Sequence, residues 1–197
     1  MSADLKTFSI QEYEAIIGPE YLQRFLESFS CPVNLEVESF LKRKALQSAR
    51  LSASQTYLVC DDKSGVLLGY YTLVLKTYSV KGNCLTSSNR RLISRFAEID
   101  EAGNFNAAVY LIAQIGKNFA VDHGTQITGS DLLALAVDEF QSVRRRIGGK
   151  LVMVERENDR PKLLDFYRAN GFKSWTTRSN AKDGIVYDQM FAVLGDA

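Results

Sequence analysis

One short stretch, HGTQITGSD at residues 123–131, combines the residue types that a protein uses to hold an anion. It lies between an apolar, strand-like run and a long segment whose apolar residues recur at helical spacing. Gly124 and Gly129 have no side chains, so a ligand can approach the main chain closely there. N–H groups at a helix N-terminus attract negatively charged groups. We therefore expect this junction to form a main-chain cradle for a pyrophosphate.

The same stretch also fits an ordinary loop that begins a helix and binds nothing. Thr128 or Ser130 can cap the helix, and Asp131, three residues after Thr128, completes a capping box. Two specific phosphate motifs are absent from the sequence. RRRIGGKL lacks the first Gly and the Ser or Thr of a Walker A loop, and no G-x-G-x-x-G follows a first strand. The spacing alone leaves both interpretations open.

Composition sets limits on the class of protein. The 197 residues, 46% hydrophobic and 24% charged, suit one domain with a full core. A net charge of +1 gives no overall attraction to nucleic acid or membranes. Three cysteines and a single histidine argue against a disulfide framework and against a zinc site. We find neither a signal peptide nor an apolar run of about eighteen residues, and so expect a soluble cytoplasmic protein without a membrane span.

The elements that position the junction follow from hydrophobic periodicity. A hairpin around DDKSG comes early, and the apolar run at 107–115 is predicted to be a central strand covered on both faces. Polar residues at 80–106 predict an irregular insertion with a short helix at 90–96. Hairpins early and βαβ-like units late predict an α/β (α+β) mixed sheet with helices on both faces. The other predicted strands are 4–10, 150–155 and 184–194; the predicted helices are 34–52 (with Leu35, Val37 and Leu41 on its apolar side), Gly129 to Gly148, and Pro161 to Asn170.

Several motifs, taken together and in order, resemble the GNAT N-acetyltransferase superfamily. FYRANGF at 166–172 is similar to the family's final helix ending, and GTQITG fits part of its [Q/R]-x-x-G-x-[G/A] loop. In that loop Gly129 matches the last Gly, Gly124 stands in place of Gln or Arg, and Ile127 replaces the middle Gly. ESFLKRKA, GYYTLVLK, YLIAQIGKN and GGKLV extend the resemblance over nearly the whole chain, toward GNAT-domain proteins of bacterial and mobile-element genomes that include toxins.

The resemblance implies a GNAT fold in a single domain over 1–197. Its mixed central sheet would have about six to seven strands and be splayed between strands four and five. Acetyl-coenzyme A, as co-substrate, would bind in that opening, with no metal. The cofactor-binding residues carried over are Ile112, Gln114, Ile115 and Lys117 on strand four, and Gly124, Thr125, Gln126, Ile127, Thr128, Gly129 and Ser130 in the loop.

The resemblance also implies two catalytic residues. Tyr167 matches the family's tyrosine near the coenzyme sulfur and would act as general acid on the departing thiolate; it also fits a core tyrosine. Glu155, at the end of strand five, is the candidate base, and Glu157 or water are the alternatives. Glu155 and Glu157 also fit ordinary solvent-exposed carboxylates at a strand end, with no catalytic role. His123, in the loop, suggests a surface or phosphate-side role.

The implied reaction transfers acetyl directly to an amine, without a covalent enzyme intermediate. The acceptor is a small amine, a peptide or protein amine, or aminoacyl-tRNA as in toxin members. The alternative is a non-catalytic acyl-coenzyme A-binding or protein-interaction module on the same fold. Arg144, Arg145 and Arg146 suit a helix C-terminus, but would favour tRNA if they shared a face with Arg90. A homodimer is a further possibility.

Overall fold

The computed structural model of the protein describes residues 4–120, 127–181 and 184–195. The chain divides into two compact units, Met1–Val74 with Ile112–Asp138 and Leu75–Leu111 with Glu139–Ala197. In the described part, the strands are β1 (Leu5–Ser9), β2 (Gln55–Asp61), β3 (Leu67–Lys81), β4 (Glu98–Ile99), β5 (Asn104–Lys117), β6 (Leu151–Glu157), β7 (Lys173–Ser179) and β8 (Val186–Val193). The α-helices are α1 (Ile10–Ile17), α2 (Pro19–Glu27), α3 (Leu35–Arg43), α4 (Ala45–Arg50), α5 (Ser87–Ile93), α6 (Gly129–Ile147) and α7 (Pro161–Ala169).

The strands form one sheet in the order β1-β2-β3-β5-β6-β8-β7, and β4 pairs with β5. The pairs β1–β2, β2–β3, β6–β8 and β7–β8 are antiparallel. β5 and β6 are neighbours joined through α6, which is the kind of crossover that connects parallel strands. The predicted mixed α/β architecture is therefore confirmed. The main path has seven strands, and β4 adds an eighth that the sequence did not predict.

The first unit packs its N-terminal helices against β2 and β3. Ile10, Leu26 and Leu41 project from three of these helices into a core that also contains Leu58 and Tyr70. The Tyr70 hydroxyl donates to the Val37 carbonyl at 2.6 Å, so the buried ring is also held by a polar contact. Helices with one apolar face are stabilised in this way by the sheet that they cover.

Two glycines let β3 and β5 approach each other and the helices α6 and α3 closely within this unit. A Cβ on Gly69 would lie 2.8 Å from the Gly116 carbonyl oxygen and 2.9 Å from Cδ1 of Leu132. A Cβ on Gly116 would lie 2.5 Å from Cγ1 of Val37. Both positions therefore require glycine for steric reasons.

The second unit is built on β6, whose residues Leu151 to Val154 are buried. Trp175 stacks on Phe191 with ring centroids 4.3 Å apart, and Tyr78 tilts against the same phenylalanine at 4.7 Å. Tyr110 stacks on Phe140, and its hydroxyl donates to the carbonyl of Gly148. The rings around Phe191 hold β8 against its neighbours, and the contacts of Tyr110 hold the C-terminal end of α6 in place.

Three sequence predictions need correction, and β7 was missed in addition to β4. The single helix predicted over 34–52 is two helices, α3 and α4, interrupted at Lys44 with φ −121°. Leu35, predicted to lie on the apolar face of that helix, is 71% exposed. The short helix predicted at 90–96 is α5, which begins at Ser87 because Thr86 caps it.

Candidate active site

The start of α6 forms the capping box that the sequence predicted. The Thr128 hydroxyl accepts a hydrogen bond from the Asp131 N–H at 3.1 Å. In return, the N–H and hydroxyl of Thr128 each donate to Oδ2 of Asp131 at 2.7 Å. These hydrogen bonds from Thr128 outweigh the effect of burial and lower the pKa of Asp131. An ionised carboxylate therefore lies at the helix N-terminus and engages one N–H of the predicted cradle.

Only part of the predicted cradle lies within the described residues. His123, Gly124, Thr125 and Gln126 fall outside them. Ile127 is 2% exposed, so its side chain belongs to the core, and the main chain is what this residue can offer to a ligand. Gly129 and Ser130 are the first residues of α6, whose N-terminus carries the positive end of the helix dipole.

The four predicted residues of β5 differ in where their main-chain groups point. Successive strand residues direct their N–H and C=O groups to opposite edges of the strand. Asn118 donates its N–H to the Leu68 carbonyl at 2.8 Å, and the Gly116 carbonyl lies against Gly69, so even-numbered residues here face β3. By this alternation, Ile112 and Gln114 also point toward β3. Ile115 and Lys117 point to the opposite edge of β5, which is the edge on the side of β6.

Asn118 anchors the segment that leads into the predicted cradle. It is 2% exposed, and its Oδ1 accepts from the N–H groups of Ser30 at 2.9 Å and Ala120 at 3.0 Å. Its Nδ2 donates to the Leu67 carbonyl at 2.8 Å. Because the side chain joins β3, β5 and the α2–α3 connection, it fixes the backbone immediately before residue 121.

Tyr167 lies on α7 with 6% of its surface exposed. Its ring packs edge-on against Phe166 and Phe172, with centroids 5.1 and 5.7 Å away. Burial raises the pKa of Tyr167 to about 12, so the phenol remains protonated at physiological pH. Within residues 4–120, 127–181 and 184–195, no residue hydrogen-bonds the Tyr167 hydroxyl group.

Glu155 belongs to a continuous polar network. Arg178 donates to both of its carboxylate oxygens, from Nε at 3.1 Å and from Nη2 at 2.9 Å. Gln189 donates to Oε1 of Glu155 at 2.8 Å and accepts from the Thr176 hydroxyl at 2.9 Å. The Thr176 hydroxyl also lies 2.7 Å from that of Tyr78. Strands β3, β6, β7 and β8 all contribute to this network.

The network makes Glu155 a weak base. Burial alone would raise the pKa of the Glu155 carboxyl group, but the hydrogen bonds from Arg178 and Gln189 and the charges of Arg178 and Lys76 lower it overall. Glu157, the alternative base, pairs instead with Nε of Arg160 at 2.7 Å. Both carboxylates therefore already have cationic partners.

Arg156, between these two glutamates, is a buried charge that the sequence analysis did not identify. Its side chain is 3% exposed and donates from Nη2 to Oδ2 of Asp188 at 3.1 Å. Ser174 donates to the same Asp188 oxygen at 2.8 Å. Asp188 inside VYDQMF was the one visible signal, but nothing in the sequence identified Arg156, 32 positions away at the charged end of KLVMVERE, as its partner.

Arg144 and Cys60 lie in surroundings that suit a role in the fold and not in catalysis. Arg144 donates to the carbonyls of Leu194 at 3.4 Å and Gly195 at 2.7 Å, as suits a residue near a helix C-terminus. Burial raises the pKa of the Cys60 thiol to about 12, which makes it a poor nucleophile. In the residues that the structure describes, no cluster of three or more His, Cys, Asp or Glu side chains is placed to hold a metal ion. No helix in this described part of the chain is long and apolar enough to cross a membrane.

Comparison with known proteins gives the fold. No protein-family model matches the chain. AtaT in complex with acetyl-methionyl-tRNAfMet is similar at a TM-score of 0.62 and 18% identity, over 93% of this chain and 94% of AtaT. A tyrosine-to-phenylalanine mutant of the KacT toxin gives 0.62 and 16%, over 94% of each chain. AtaT and KacT have the GNAT fold. The chain has a GNAT fold.

A third solved structure is similar over a comparable length. A mutant AtaT toxin bound to the C-terminus of the antitoxin AtaR and to acetyl-coenzyme A has a TM-score of 0.60 and 18% identity, over 96% of this chain and 93% of that one. In the GNAT fold of the present chain, the strands predicted as four and five are β5 and β6. The predicted site residues fall into two groups. Ile112, Gln114, Ile115, Lys117, Ile127, Thr128, Gly129 and Ser130 belong to the first unit, whereas Glu155 and Tyr167 belong to the second.

Proposed function

We propose that the protein is an N-acetyltransferase that transfers the acetyl group of acetyl-coenzyme A directly to an amine. The observation that carries the proposal is the likeness, over more than nine-tenths of both chains, to AtaT structures that contain acetyl-coenzyme A or an acetylated aminoacyl-tRNA. Tyr167 adds support, because it lies on α7 with a protonated phenol and is matched to the family's general acid.

The residues at the start of α6 and at the end of β5 suit the coenzyme. The first-turn N–H groups of Gly129 and Ser130, on a helix of 19 residues, would hold the pyrophosphate. Main-chain groups of Ile115 and Lys117 would hydrogen-bond the pantetheine arm. Gly124, Thr125 and Gln126 remain part of the proposed cradle. The carboxylate of Asp131 opposes an anion there, so it weakens coenzyme binding at this helix end.

In the proposed reaction, the amine nitrogen attacks the thioester carbonyl carbon, and the C–S bond breaks as the C–N bond forms. The leaving thiolate needs a proton or a hydrogen bond, and the amine must lose one proton. An alkyl thiol has a pKa of about 8.5, well below the value of about 12 for Tyr167. Tyr167 therefore stabilises the developing thiolate mainly by donating a hydrogen bond, and solvent completes the proton transfer.

Water is the better candidate for the immediate base. Glu155 accepts hydrogen bonds on both oxygens, and its lowered pKa reduces its affinity for a proton. We therefore propose that Glu155 accepts the acceptor's proton only through water.

We propose aminoacyl-tRNA as the acceptor. AtaT is seen with acetyl-methionyl-tRNAfMet, and the sequence motifs resemble toxin members of the superfamily. A bacterial cytoplasmic protein with an antitoxin partner would follow, as AtaT binds the C-terminus of AtaR. The chain's net charge of +1 means that contacts with RNA would come from local groups such as Arg90 and Arg91.

The test is the Tyr167→Phe variant with radiolabelled acetyl-coenzyme A and a panel of small amines, peptides and charged tRNAs. We expect turnover to fall by roughly 10²- to 10³-fold, the usual cost of removing one hydrogen-bond donor to a developing negative charge. Calorimetry should show coenzyme binding within about twofold of wild type. Tyr21→Phe is the matched control, because Tyr21 is 66% exposed. Wild-type turnover retained by Tyr167→Phe would contradict the role of the phenol.

A non-catalytic acyl-coenzyme A-binding module is the second candidate. Ile127 in place of a loop glycine and the capture of the Thr128 N–H by Asp131 favour it, because both depart from an open phosphate cradle. Under this alternative, calorimetry would detect acetyl-coenzyme A binding, but no member of the acceptor panel would gain label.

A further inference from the structure

The turn between β6 and α7 is wrapped around one buried guanidinium group. Nη1 of Arg156 donates to the carbonyls of Glu157 at 3.0 Å, Asn158 at 3.3 Å and Arg160 at 3.3 Å. Nη2 of the same residue donates to Asp188 on β8 at 3.1 Å. The side chain therefore ties the backbone of the turn to the neighbouring strand.

This contact adds to the local contacts at the start of α7, where the Asn158 N–H donates to the Val186 carbonyl at 2.9 Å and Nε of Arg160 pairs with Glu157 at 2.7 Å. No side chain caps the helix at Arg160, and Pro161 at its first turn has no N–H to donate. The other end of α7 is fixed by its own residues. Nδ2 of Asn170 donates to the Phe166 carbonyl at 2.8 Å, and the Phe172 N–H donates to the Tyr167 carbonyl at 3.0 Å.

We infer that Arg156 is a positioning residue for Tyr167: by holding the β6–α7 turn, it sets the direction of the helix that carries the phenol. This inference depends on the proposed function for its catalytic consequence. Arg156 itself does not touch the reacting atoms in this scheme. It acts through the backbone of residues 157–160.

The distance along α7 from the turn to Tyr167 determines how far a tilt at the turn would move the phenol. Tyr167 lies about 9 Å along the helix axis from Pro161, at 1.5 Å per residue. A tilt of about 10° at the turn would move Tyr167 by roughly 1.5 Å along this lever, and a misplacement of about 1 Å can cost a factor of about 10² in rate. Small changes at Arg156 should therefore affect turnover.

A lysine at position 156 can keep the positive charge and the bond to Asp188, but its single nitrogen cannot reach four oxygens at once. The Arg156→Lys variant should lower kcat by roughly 10- to 100-fold. KM for acetyl-coenzyme A should stay within about twofold, because the residues proposed to hold the coenzyme belong to the first unit. Arg168→Lys, on the exposed side of α7, is the matched control and should keep wild-type kcat.

Chemical rescue separates positioning from general loss of folding. All the hydrogen bonds of Arg156 come from Nη1 and Nη2, and its buried Nε has no partner among the described residues. Free guanidinium at millimolar concentration can therefore replace those bonds in Arg156→Ala. We expect it to restore at least tenfold of the lost kcat in this variant and to leave Arg168→Ala unchanged.

A second measurement does not depend on activity. Uniform 3-fluorotyrosine labelling, with Tyr167→Phe to assign its resonance, reports the surroundings of the phenol by ¹⁹F NMR. Arg156→Lys should shift the Tyr167 resonance and leave that of Tyr21 in place. An unmoved Tyr167 resonance would overturn the inference. A shifted resonance in a protein whose wild type acetylates no acceptor would support the placement of Tyr167 and contradict the acetyltransferase proposal.

Discussion

The close approach of β3, β5 and α6 at Gly69 makes a sharp prediction about stability. In Gly69→Ala, the new Cβ would lie 2.8 Å from the Gly116 carbonyl oxygen, and 2.9 and 3.0 Å from the two δ-carbons of Leu132. Ordinary van der Waals contact begins at 3.4 Å, so the shortfall at the carbonyl is about 0.6 Å. Leu132 can change rotamer, but the carbonyl oxygen is part of the backbone of β5 and has no such freedom.

The cost follows from overpacking. Inserting a methyl group where backbone must move typically costs about 1–3 kcal/mol, and the rigid partner here favours the upper half of that range. For a chain of this length, each kcal/mol lowers Tm by about 2–4 °C, so we expect a fall of about 4–12 °C. Because Leu132 lies in the first turn of α6, a displaced helix start should also weaken coenzyme binding.

Urea unfolding followed by circular dichroism measures the free energy, and calorimetry measures acetyl-coenzyme A affinity. The control is Gly195→Ala, where a Cβ would meet nothing within 4 Å. We expect that variant to lie within about 0.5 kcal/mol of wild type. A Gly69→Ala protein as stable as the control would refute the steric reasoning.

Two further perturbations test the polar contacts. Glu155→Gln should cost about 1 kcal/mol at pH 7, because it breaks the ion pair with partly exposed Arg178. Because the pKa of Glu155 is lower in the folded protein than its value of about 4.3 in the unfolded chain, the carboxylate stabilises the fold fully above pH values of that size. The stabilisation is lost as the pH falls through the folded pKa. Urea titrations at pH 7 and pH 3 should therefore show that the stability difference between variant and wild type shrinks in acid. Asn118→Ala leaves the Ser30 N–H and the Leu67 carbonyl without this partner and should cost about 2–4 kcal/mol in the same assay, a loss under 1 kcal/mol being the contrary result.

Elements with local determinants were predictable from the sequence. α6 ends where expected because Gly148 and Gly149 adopt φ values of 76° and 95°, which other residues rarely adopt. α7 has Pro161 at its first turn and Gly171 just after its end, which are strong helix boundaries. The Thr128–Asp131 capping box depends only on residues three apart, and it too was predicted.

Features that depend on distant partners were not predictable in this way. β7 has one buried residue, Trp175, and a register shift beside it, so its pattern does not alternate like that of a core strand. The ion pair of Glu155 joins residues 23 positions apart, and that of Arg156 joins residues 32 apart. No spacing rule links such residues, because the sheet order brings them together. The candidate base was therefore identified by position, while the contacts that weaken it appear only in the fold.

The stacking of Trp175 on Phe191 also determines what the tryptophan fluorescence of this protein can report. Trp175 is the single tryptophan of the chain and belongs to the second unit. Its ring is buried against β8, so its emission spectrum should move to longer wavelength when that strand separates from β7 and water reaches the indole. Fluorescence thus follows the second unit, whereas far-ultraviolet dichroism averages over every helix and strand. Superimposable curves from the two probes would indicate cooperative melting of both units in a single step.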